Sequence, residues 1–482
     1  MHSAPIARVL GLLLIVFSLT MLTPVFVAFI YNEATEKMFI LAFSITLIVG
    51  LLFWLPARSK TMELRTRDGF VVTVFFWLVL STFGSLPFML SEGLELSFTD
   101  ALFESVSGLT TTGATVITGL DNLPKSILFY RQQLQWLGGI GIVVIAVAIL
   151  PMLGVGGVQI YRAETPGPMK DTKLTPRIAQ TANVLFKIYL LLTIACCMAY
   201  WWAGMSFFDA LSHSFSTIAI GGFSTHDASI GYFESNMIMV ICTFFMIISG
   251  VNFALHYSAW HNRNFSWYWS DPEARMYLTL ISTGALITCS YLYFSDTYLL
   301  SDSISQGIFQ FVSIMTTTGF STTEFVSWPT FLPFFLIMMS FFGACAGSTG
   351  GGIKIGRMLI LFQQGLREIY QLIHPNALLP IKINNRKVPD RVADAIWAFI
   401  GVYLAIFYLM VLLLLASGLD YVTAWSATAA SLNNLGPGLG AVANNYSELG
   451  NFPKWVLCWG MLLGRLEIFT LLVLFTPTFW RR

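Results

Sequence analysis

Residues 104–115 read ESVSGLTTTGAT, and three similar stretches follow without gaps at 213–224 (HSFSTIAIGGFS), 310–321 (QFVSIMTTTGFS) and 427–438 (ATAASLNNLGPG). Aligned in this way, they place Gly113, Gly222, Gly319 and Gly436 in register, about a hundred residues apart. A repeat at such a period indicates several copies of one structural unit. The fold therefore depends on what surrounds each glycine.

The overall composition is that of a membrane protein. Hydrophobic residues make up 56% of the 482 positions and charged residues 11%, with a mean hydropathy of +0.72. An average soluble domain has roughly 25% charged residues, so a soluble core cannot cover this much apolar surface. The formal net charge is +1, and no polybasic arm indicates a nucleic-acid partner. Membrane lipid is the surrounding that the composition predicts.

Ten apolar runs are long enough to cross a bilayer, which takes about 20 residues. They lie near 7–30, 37–56, 70–91, 128–152, 182–203, 236–259, 276–294, 331–361, 393–416 and 453–478. Shorter half-apolar stretches lie near 99–109, 208–218, 303–315 and 421–432. Lysine and arginine concentrate in the alternate linkers 57–69, 161–178, 261–275 and 363–392 and at the C-terminus. The excess of basic residues in cytoplasmic loops then predicts two cytoplasmic termini, with all four short stretches outside.

Each short stretch lies between two spans, which gives the order span, half-helix, glycine loop, span. Asp100 and Asp209 stand thirteen residues before the first two glycines and are predicted to cap the half-helices. Thr423 takes this place in the fourth copy and Gln306 in the third. Irregular backbone at membrane depth persists only where it is buried in protein or lines a water-filled path.

Four such loops around one axis would supply rings of backbone carbonyl oxygens, which can replace the water shell of a monovalent cation. The C-terminal partial negative charge of each half-helix would favour the cation as well. The prediction is an all-α integral membrane protein with ten transmembrane helices. A two-helix extension (1–66) precedes four helix–pore loop–helix repeats with pseudo-fourfold symmetry, at 67–160, 161–262, 263–380 (with an interrupted second helix) and 381–482.

On these residues the chain resembles, over nearly its whole length, the Trk/Ktr/HKT superfamily of potassium transporters and its TrkH/TrkG-type pore subunits. The resemblance implies a gated potassium pore in the bacterial inner membrane, with potassium as the transported ion, no bound cofactor and subunits paired as a homodimer. Its selectivity filter carries over to Thr110, Thr111, Thr112, Gly113, Ala219, Ile220, Gly221, Gly222, Thr316, Thr317, Thr318, Gly319, Asn433, Asn434, Leu435 and Gly436. The implied K+ contacts are Thr111, Thr112, Ile220, Gly221, Thr317, Thr318, Asn434 and Leu435. Gly113, in place of a serine, favours potassium over sodium.

The third repeat contains a glycine-rich interruption, GACAGSTGGGI at 343–353. It is not a phosphate loop, because Ile353 separates Gly352 from Lys354 where the motif needs lysine directly. A broken membrane helix usually marks a permeation path, and in the resembling family this loop blocks the pore below the filter. The predicted gate residues are Gly343, Gly347, Ser348, Thr349, Gly350, Gly351, Gly352 and Arg465. A packing kink is the alternative for the loop.

Several charged residues stand in or near the predicted pore. Arg465 lies inside the last span, where a charge is costly and usually faces a cavity or a partner. It matches the family's gating arginine, and a salt bridge to a carboxylate such as Glu467 is the alternative. Lys354 is predicted to extend to the cytoplasmic edge. Past the filters, Asp121, Asp227 and Glu324 either form a ring that concentrates cations or are solvated loop charges.

No nucleophile–base pair or metal-ligand cluster indicates an enzyme. The resemblance implies a cytosolic TrkA-type nucleotide-binding ring as regulator, for which the linkers 161–178 and 363–392 are the candidate contacts. The alternative function is proton- or sodium-coupled potassium symport by the same path. Glu104 and His213, at equivalent half-helix positions, keep coupling open.

Overall fold

The computed structural model describes residues 3–58, 66–144, 178–377, 379–383 and 386–481. In chain order the helices are α1 (Ser3–Thr20), α2 (Thr23–Tyr31), α3 (Glu36–Ala57), α4 (Thr66–Gly84), α5 (Leu86–Met89), α6 (Phe98–Leu109), α7 (Lys125–Val144), α8 (Ile178–Trp202), α9 (Phe207–Ala219), α10 (Asn236–Ser249), α11 (Phe253–His261), α12 (Ser266–Ser270), α13 (Pro272–Phe294), α14 (Leu300–Met315), α15 (Phe331–Met339), α16 (Ile355–Ile373), α17 (Asp390–Ala416), α18 (Tyr421–Leu432), α19 (Asn451–Arg465), α20 (Phe469–Leu472) and α21 (Pro477–Trp480). Short 3-10 helices lie at Leu120–Asn122, Ser229–Phe233, Phe325–Ser327, Gly440–Val442 and Val473–Phe475. An antiparallel hairpin of β1 (Lys382–Ile383) and β2 (Arg386–Lys387), not foreseen in the sequence, joins α16 to α17.

Within the described residues, six helical segments are long and apolar enough to cross a bilayer. They are Ala4–Tyr31, Glu36–Ala57, Arg67–Met89, Asn183–Trp202, Pro272–Phe294 and Asp390–Ala416. Two more spans are bent pairs, Asn236–Ser249 with Phe253–His261 at 93° and Asn451–Arg465 with Phe469–Phe475 at 106°. The spans predicted at 236–259 and 453–478 therefore correspond to these bent pairs, and their bends were not foreseen in the sequence.

The remaining two predicted spans correspond to α7 and to the interrupted pair α15 and α16. Helix α7 leads into residues 145–177, which lie outside the described residues. The end of the predicted span 128–152 and the basic linker 161–178 fall there as well. The all-α membrane fold predicted from the sequence is confirmed by the helical architecture.

The four short stretches form the helices α6, α9, α14 and α18, called pore helices here after the repeat predicted from the sequence. Ser97 and Ser206 cap the first two, and their hydroxyls accept hydrogen bonds from the backbone N–H of Asp100 at 3.2 Å and of Asp209 at 3.0 Å. Asp420 caps the fourth. The capping predicted for Asp100 and Asp209 is therefore wrong by one turn. These aspartates instead lie inside the first turn, where negative charge complements the helix dipole.

The pore helices form the core, and the spans surround them. Residues Ala101–Leu109 of α6 are buried throughout, whereas α17 exposes Leu404, Leu409 and Leu412. Helices α1 and α3 cross at glycines, since a Cβ on Gly11 would lie 2.7 Å from the carbonyl oxygen of Gly50. Small residues allow such close approach between membrane helices. The N-terminal hairpin is thus packed outside the four repeats.

Candidate functional site

The loops that follow the four pore helices close into a ring in sequence order. In each repeat, a Cβ on the filter glycine would collide with the carbonyl oxygen of the third filter residue of the next repeat. The pairs are Gly113 with Gly221 (2.2 Å), Gly222 with Thr318 (2.0 Å), Gly319 with Leu435 (2.2 Å) and Gly436 with Thr112 (2.6 Å). The fourth repeat thus packs back onto the first. Only glycine fits at these positions, and the four loops surround one axis.

The four loops share one backbone conformation although their side chains differ. The second residue of each has a positive φ: Thr111 (54°), Ile220 (54°), Thr317 (65°) and Asn434 (55°). The fourth residue does as well: Gly113 (81°), Gly222 (78°), Gly319 (83°) and Gly436 (98°). A left-handed conformation costs about 1–2 kcal/mol for a residue with a side chain. Its recurrence at threonine, isoleucine and asparagine indicates that the backbone is the repeated functional element.

Each pore helix ends directly at its filter, at Leu109, Ala219, Met315 and Leu432. The last carbonyl groups of a helix carry a partial negative charge of about half an electron. Four such ends therefore converge on the inner side of the ring. This field favours a cation at the ring and disfavours an anion.

Side-chain hydrogen bonds hold the filter backbone in place. The hydroxyls of Thr110 and Thr112 lie 2.8 Å apart, and those of Thr316 and Thr318 lie 2.7 Å apart. In the fourth copy, the side-chain amide of Asn434 donates to the hydroxyl of Thr112 at 3.0 Å. The asparagine therefore joins the fourth filter to the first, which the threonine-rich pattern did not reveal.

A buried ion pair supports the outer end of the first filter. Arg131 Nε lies 2.8 Å from Glu104 Oε1, with both side chains almost fully buried. Glu104 also accepts from the Thr115 hydroxyl and from the Val116 N–H, both at 3.0 Å. Arg131 donates to the carbonyl of Ser224 at 3.1 Å, in the second repeat. The pair fastens one filter exit to the next, a role for Arg131 that the sequence did not suggest.

His213 occupies the position in the second repeat that Glu104 occupies in the first, and it also contacts the segment that follows its filter. Its Nε2 lies 2.9 Å from the Ser224 hydroxyl, and its Nδ1 lies 2.9 Å from the carbonyl of Asp209. Glu104 and His213 each form hydrogen bonds with the segment after their own filter, and His213 also bonds to the start of its pore helix. Both side chains therefore brace the filter wall from behind.

The glycine-rich loop of the third repeat, residues 340–354, lies against the inner end of the filter. The N–H of Gly351 donates to the Thr317 hydroxyl at 2.7 Å, and the N–H of Gly352 donates to the Asn433 carbonyl at 3.0 Å. The Thr349 hydroxyl donates to the carbonyl of Ile218 at 2.9 Å. Thr317 and Asn433 are the second and first residues of their filters, and Ile218 lies in the last turn of α9. The loop thus packs against the ends of the pore helices on the inner side of the ring.

The helix after each filter is interrupted near the same point. Glycines stand 28 residues after the filter glycine in all four repeats: Gly141, Gly250, Gly347 and Gly464. Gly141 is non-helical inside α7, α10 ends one residue before Gly250, and α19 ends one residue after Gly464. A Cβ on Gly464 would lie 2.2 Å from the carbonyl of Leu432. The interruption in the third repeat was predicted from the sequence, and those in the other three were not foreseen, although the 28-residue spacing was their signal in the sequence.

Arg465 joins these breaks. Its guanidinium donates to the carbonyl of Thr349 in the glycine-rich loop at 3.2 Å, to the carbonyl of Gly139 at 3.2 Å, and to that of Gly138. Glu467, two residues on, forms an ion pair with Arg357 of α16. Arg465 therefore links the loop of the third repeat to the interrupted helix of the first.

Two further charged residues fasten the loop. Lys354 is 6% exposed and donates to the carbonyl of Gly350, so the prediction that it extends to the cytoplasmic edge is wrong. Glu273, at the start of α13, accepts from the N–H of Ala346 at 2.6 Å and of Gly356 at 2.9 Å. One carboxylate thus joins the middle of the loop to the first turn of α16, which sequence analysis missed because Glu273 lies 73 and 83 residues upstream of these two partners.

On the outer side, the predicted carboxylates do not form a symmetric ring. Asp121 pairs with Nδ1 of His226, and Asp227 accepts from the N–H of Gly119 at 3.1 Å. These contacts connect the loops after the first and second filters. Glu324 is exposed after the third filter. Two of the three carboxylates therefore serve as a clamp between repeats.

The charges around His226 shift its titration. Burial of the imidazole lowers its pKa, but the hydrogen bonds and Coulomb attraction of Asp209 and Asp121 outweigh burial and raise the pKa above 6.5. For Asp121, burial raises the pKa, and the hydrogen bond with His226 contributes to a net lowering. Pairing therefore favours the charged form of both groups.

Comparison with known proteins identifies the family. The model of the TrkH family of cation transport proteins matches residues 35–482. The chain belongs to this family. The Trk system potassium uptake protein TrkH of Halomonas elongata is 54% identical over 477 residues, 99% of each chain, and that of Escherichia coli K12 is 53% identical over 482 residues, 100% of each.

A solved structure agrees with the fold. The crystal structure of the potassium transporter TrkH from Vibrio parahaemolyticus matches with a TM-score of 0.91 and 51% identity, over 100% of both chains. The family resemblance read from the sequence is confirmed. With it, the prediction of a transporter and not an enzyme is confirmed as well.

Proposed function

We propose that this chain takes up potassium through a gated, potassium-selective pore formed by the four re-entrant loops. The observation that carries the proposal is the closed ring in which each filter glycine packs on a carbonyl of the next repeat. Rings of backbone carbonyls can replace the hydration shell of K+. The relatives from Halomonas and Escherichia bear the name potassium uptake protein, which agrees with this ion.

The proposed ion contacts are backbone oxygens of the second and third filter residues. These are Thr111, Thr112, Ile220, Gly221, Thr317, Thr318, Asn434 and Leu435. Support comes from the positive φ shared by the second residues, which holds the four loops in one geometry. Selection for potassium over sodium then depends on the spacing of the carbonyls and not on any one side chain.

The proposed gate consists of the loop with Gly343, Gly347, Ser348, Thr349, Gly350, Gly351 and Gly352, together with Arg465. Its support is the direct contact of the loop with Thr317 and Asn433 at the inner filter end. Conduction requires this loop to leave those contacts. The positive charge of Arg465 beside the path adds an electrostatic barrier to cations.

Regulation is proposed to come from a cytosolic nucleotide-binding ring, with the pore subunits paired as a homodimer in the inner membrane and both termini in the cytoplasm. The relatives' designation as part of a Trk system agrees with further components. The linker 363–392 is a proposed contact: its described part contains the second half of α16, the helix that begins after the gate loop, and the basic hairpin. The other proposed contact, 161–178, lies outside the described residues except for Ile178.

Coupled symport is the alternative, and the site gives it less support. Glu104 and His213, the residues that kept coupling open, use their hydrogen bonds to brace the filter exits. Potassium flux into liposomes containing the purified chain tests the proposal. We expect uptake driven by the potassium gradient alone, with sodium excluded. Uptake that requires a proton or sodium gradient would reject the pore mechanism in favour of symport.

A further inference from the structure

A cavity of about 800 Å³ opens beside the gate, between the start of α13, one side of α16 and the β hairpin. Its lining combines apolar and basic side chains: Met276, Leu280, Leu359, Phe362, Arg275 and Lys382. Both basic residues are exposed. In the described parts of the chain, neither pairs with a carboxylate. The cavity thus offers two unneutralised positive charges next to an apolar wall.

We propose that this cavity binds an anionic glycerophospholipid, with the phosphate at Arg275 and Lys382 and an acyl chain along Met276, Leu280 and Phe362. The order of residues along α13 fits a lipid. Arg275 lies near the end of the span Pro272–Phe294, and the apolar residues follow it toward the span's centre at about 1.5 Å per residue.

Charge complementarity selects the head group. A basic residue near a membrane surface attracts anionic lipid, and two of them act together. A free phosphate would leave the apolar wall uncovered, including Phe362, which is 65% exposed. A second copy of the chain meeting this face across a twofold axis would bring the same basic residues toward each other. An anionic lipid would pair its phosphate with the two basic residues and cover the apolar wall with an acyl chain.

The cavity is connected to the gate through Glu273. This residue lies two positions before Arg275 and joins the gate loop to the first turn of α16 through the N–H groups of Ala346 and Gly356. The far wall, α16, begins directly after the loop. A lipid between α13 and α16 would stabilise the arrangement with the loop in place, so removing it would raise basal potassium flux. This effect on flux, unlike the binding itself, rests on the proposed function.

Native mass spectrometry of the full chain in detergent tests the binding without any flux measurement. The probes are dioleoyl-phosphatidylglycerol and dioleoyl-phosphatidylcholine at equal concentration. We expect preferential retention of the anionic lipid, and a loss of about fivefold for each of Arg275→Gln and Lys382→Gln. Arg391→Gln is the matched control, because it removes an exposed basic residue of the same linker region outside the cavity. It should retain the lipid as the parent does.

A third variant, a water-soluble competitor and the oligomeric state separate the other occupants. Phe362→Asn leaves both charges in place and should also weaken retention of phosphatidylglycerol, since the acyl chain loses its wall. Full displacement by water-soluble glycerophosphate, or unchanged retention in all three variants, would overturn the lipid assignment. So would variants that change the oligomeric state in size-exclusion chromatography while lipid retention stays at the parent level. If retention falls as expected but flux in phosphatidylcholine vesicles does not exceed that in vesicles with phosphatidylglycerol, only the link to the gate is rejected.

Discussion

Replacing Gly113 with serine perturbs the ring at one contact. The new Cβ would lie 2.2 Å from the carbonyl oxygen of Gly221, whereas ordinary contact begins at 3.4 Å. That oxygen must therefore move by about 1.2 Å, the difference of these distances. A hydrogen bond or similar contact between a polar group and a charged partner contributes about 1.5–3 kcal/mol, and we take this as the loss in potassium binding when the Gly221 carbonyl is displaced. Since 1.4 kcal/mol is about a tenfold change, we expect the permeability ratio of potassium to sodium to fall about tenfold or more.

A matched control separates this displacement from backbone strain. Gly119 also has a positive φ, 71°, but a Cβ there would meet open space. Gly119→Ser thus introduces similar strain outside the filter, and selectivity should stay at the parent value. The assay is the reversal potential of each purified variant in planar bilayers, with potassium on one side and sodium on the other. An unchanged ratio in Gly113→Ser, or an equal fall in Gly119→Ser, would refute the reasoning.

Three further predictions concern the gate, the buried pair and the outer clamp. Arg465→Ala removes the hydrogen bonds of the guanidinium to the carbonyls of Thr349 and Gly139 and should raise basal potassium flux in liposomes. A flux at or below the parent value would exclude a barrier role for Arg465. Glu104→Gln leaves the buried Arg131 without its counter-charge, which should lower the free energy of unfolding by about 3–5 kcal/mol. The measurement is the melting temperature in detergent, which should fall. An unchanged melting temperature would count against a stabilising role of the pair. The raised pKa of His226 means that its stabilisation is fully present below pH 6.5 and is lost as the pH rises through the raised value. The melting temperature of the parent should therefore drop toward that of His226→Gln across this window, and a constant difference between them would contradict the clamp.

The fold was largely predictable because its strongest signals are local. Span length and the register of four glycines are direct consequences of bilayer thickness and of ring geometry, and both can be read from one sequence. The pore-helix caps were misplaced by a turn because Asp100 and Asp209 suit the first turn as well as the cap. The bends in α10–α11 and α19–α20 were missed because apolar composition continues across them.

The charges were the least predictable part of the site. Arg131, Glu273 and Arg357 each pair with groups far away in the chain, and no spacing rule relates them. Lys354 follows a glycine-rich loop, which suggests an exposed end, but the loop folds back over it. Arg465 could be singled out because a charge within an apolar run is costly. The carbonyl groups that Arg465 contacts in the first and third repeats could not be predicted, because these contacts depend on how the four repeats are arranged in the ring.

In the proposed mechanism, potassium moves through the ring down its own gradient. The most direct measurement is the reversal potential of the purified chain in planar bilayers under a fixed potassium gradient, while the pH of one side is changed. A potential that follows the potassium gradient and does not move with pH is the result expected of a pore. A shift with pH at constant potassium would contradict it, because the proton would then be a transported partner.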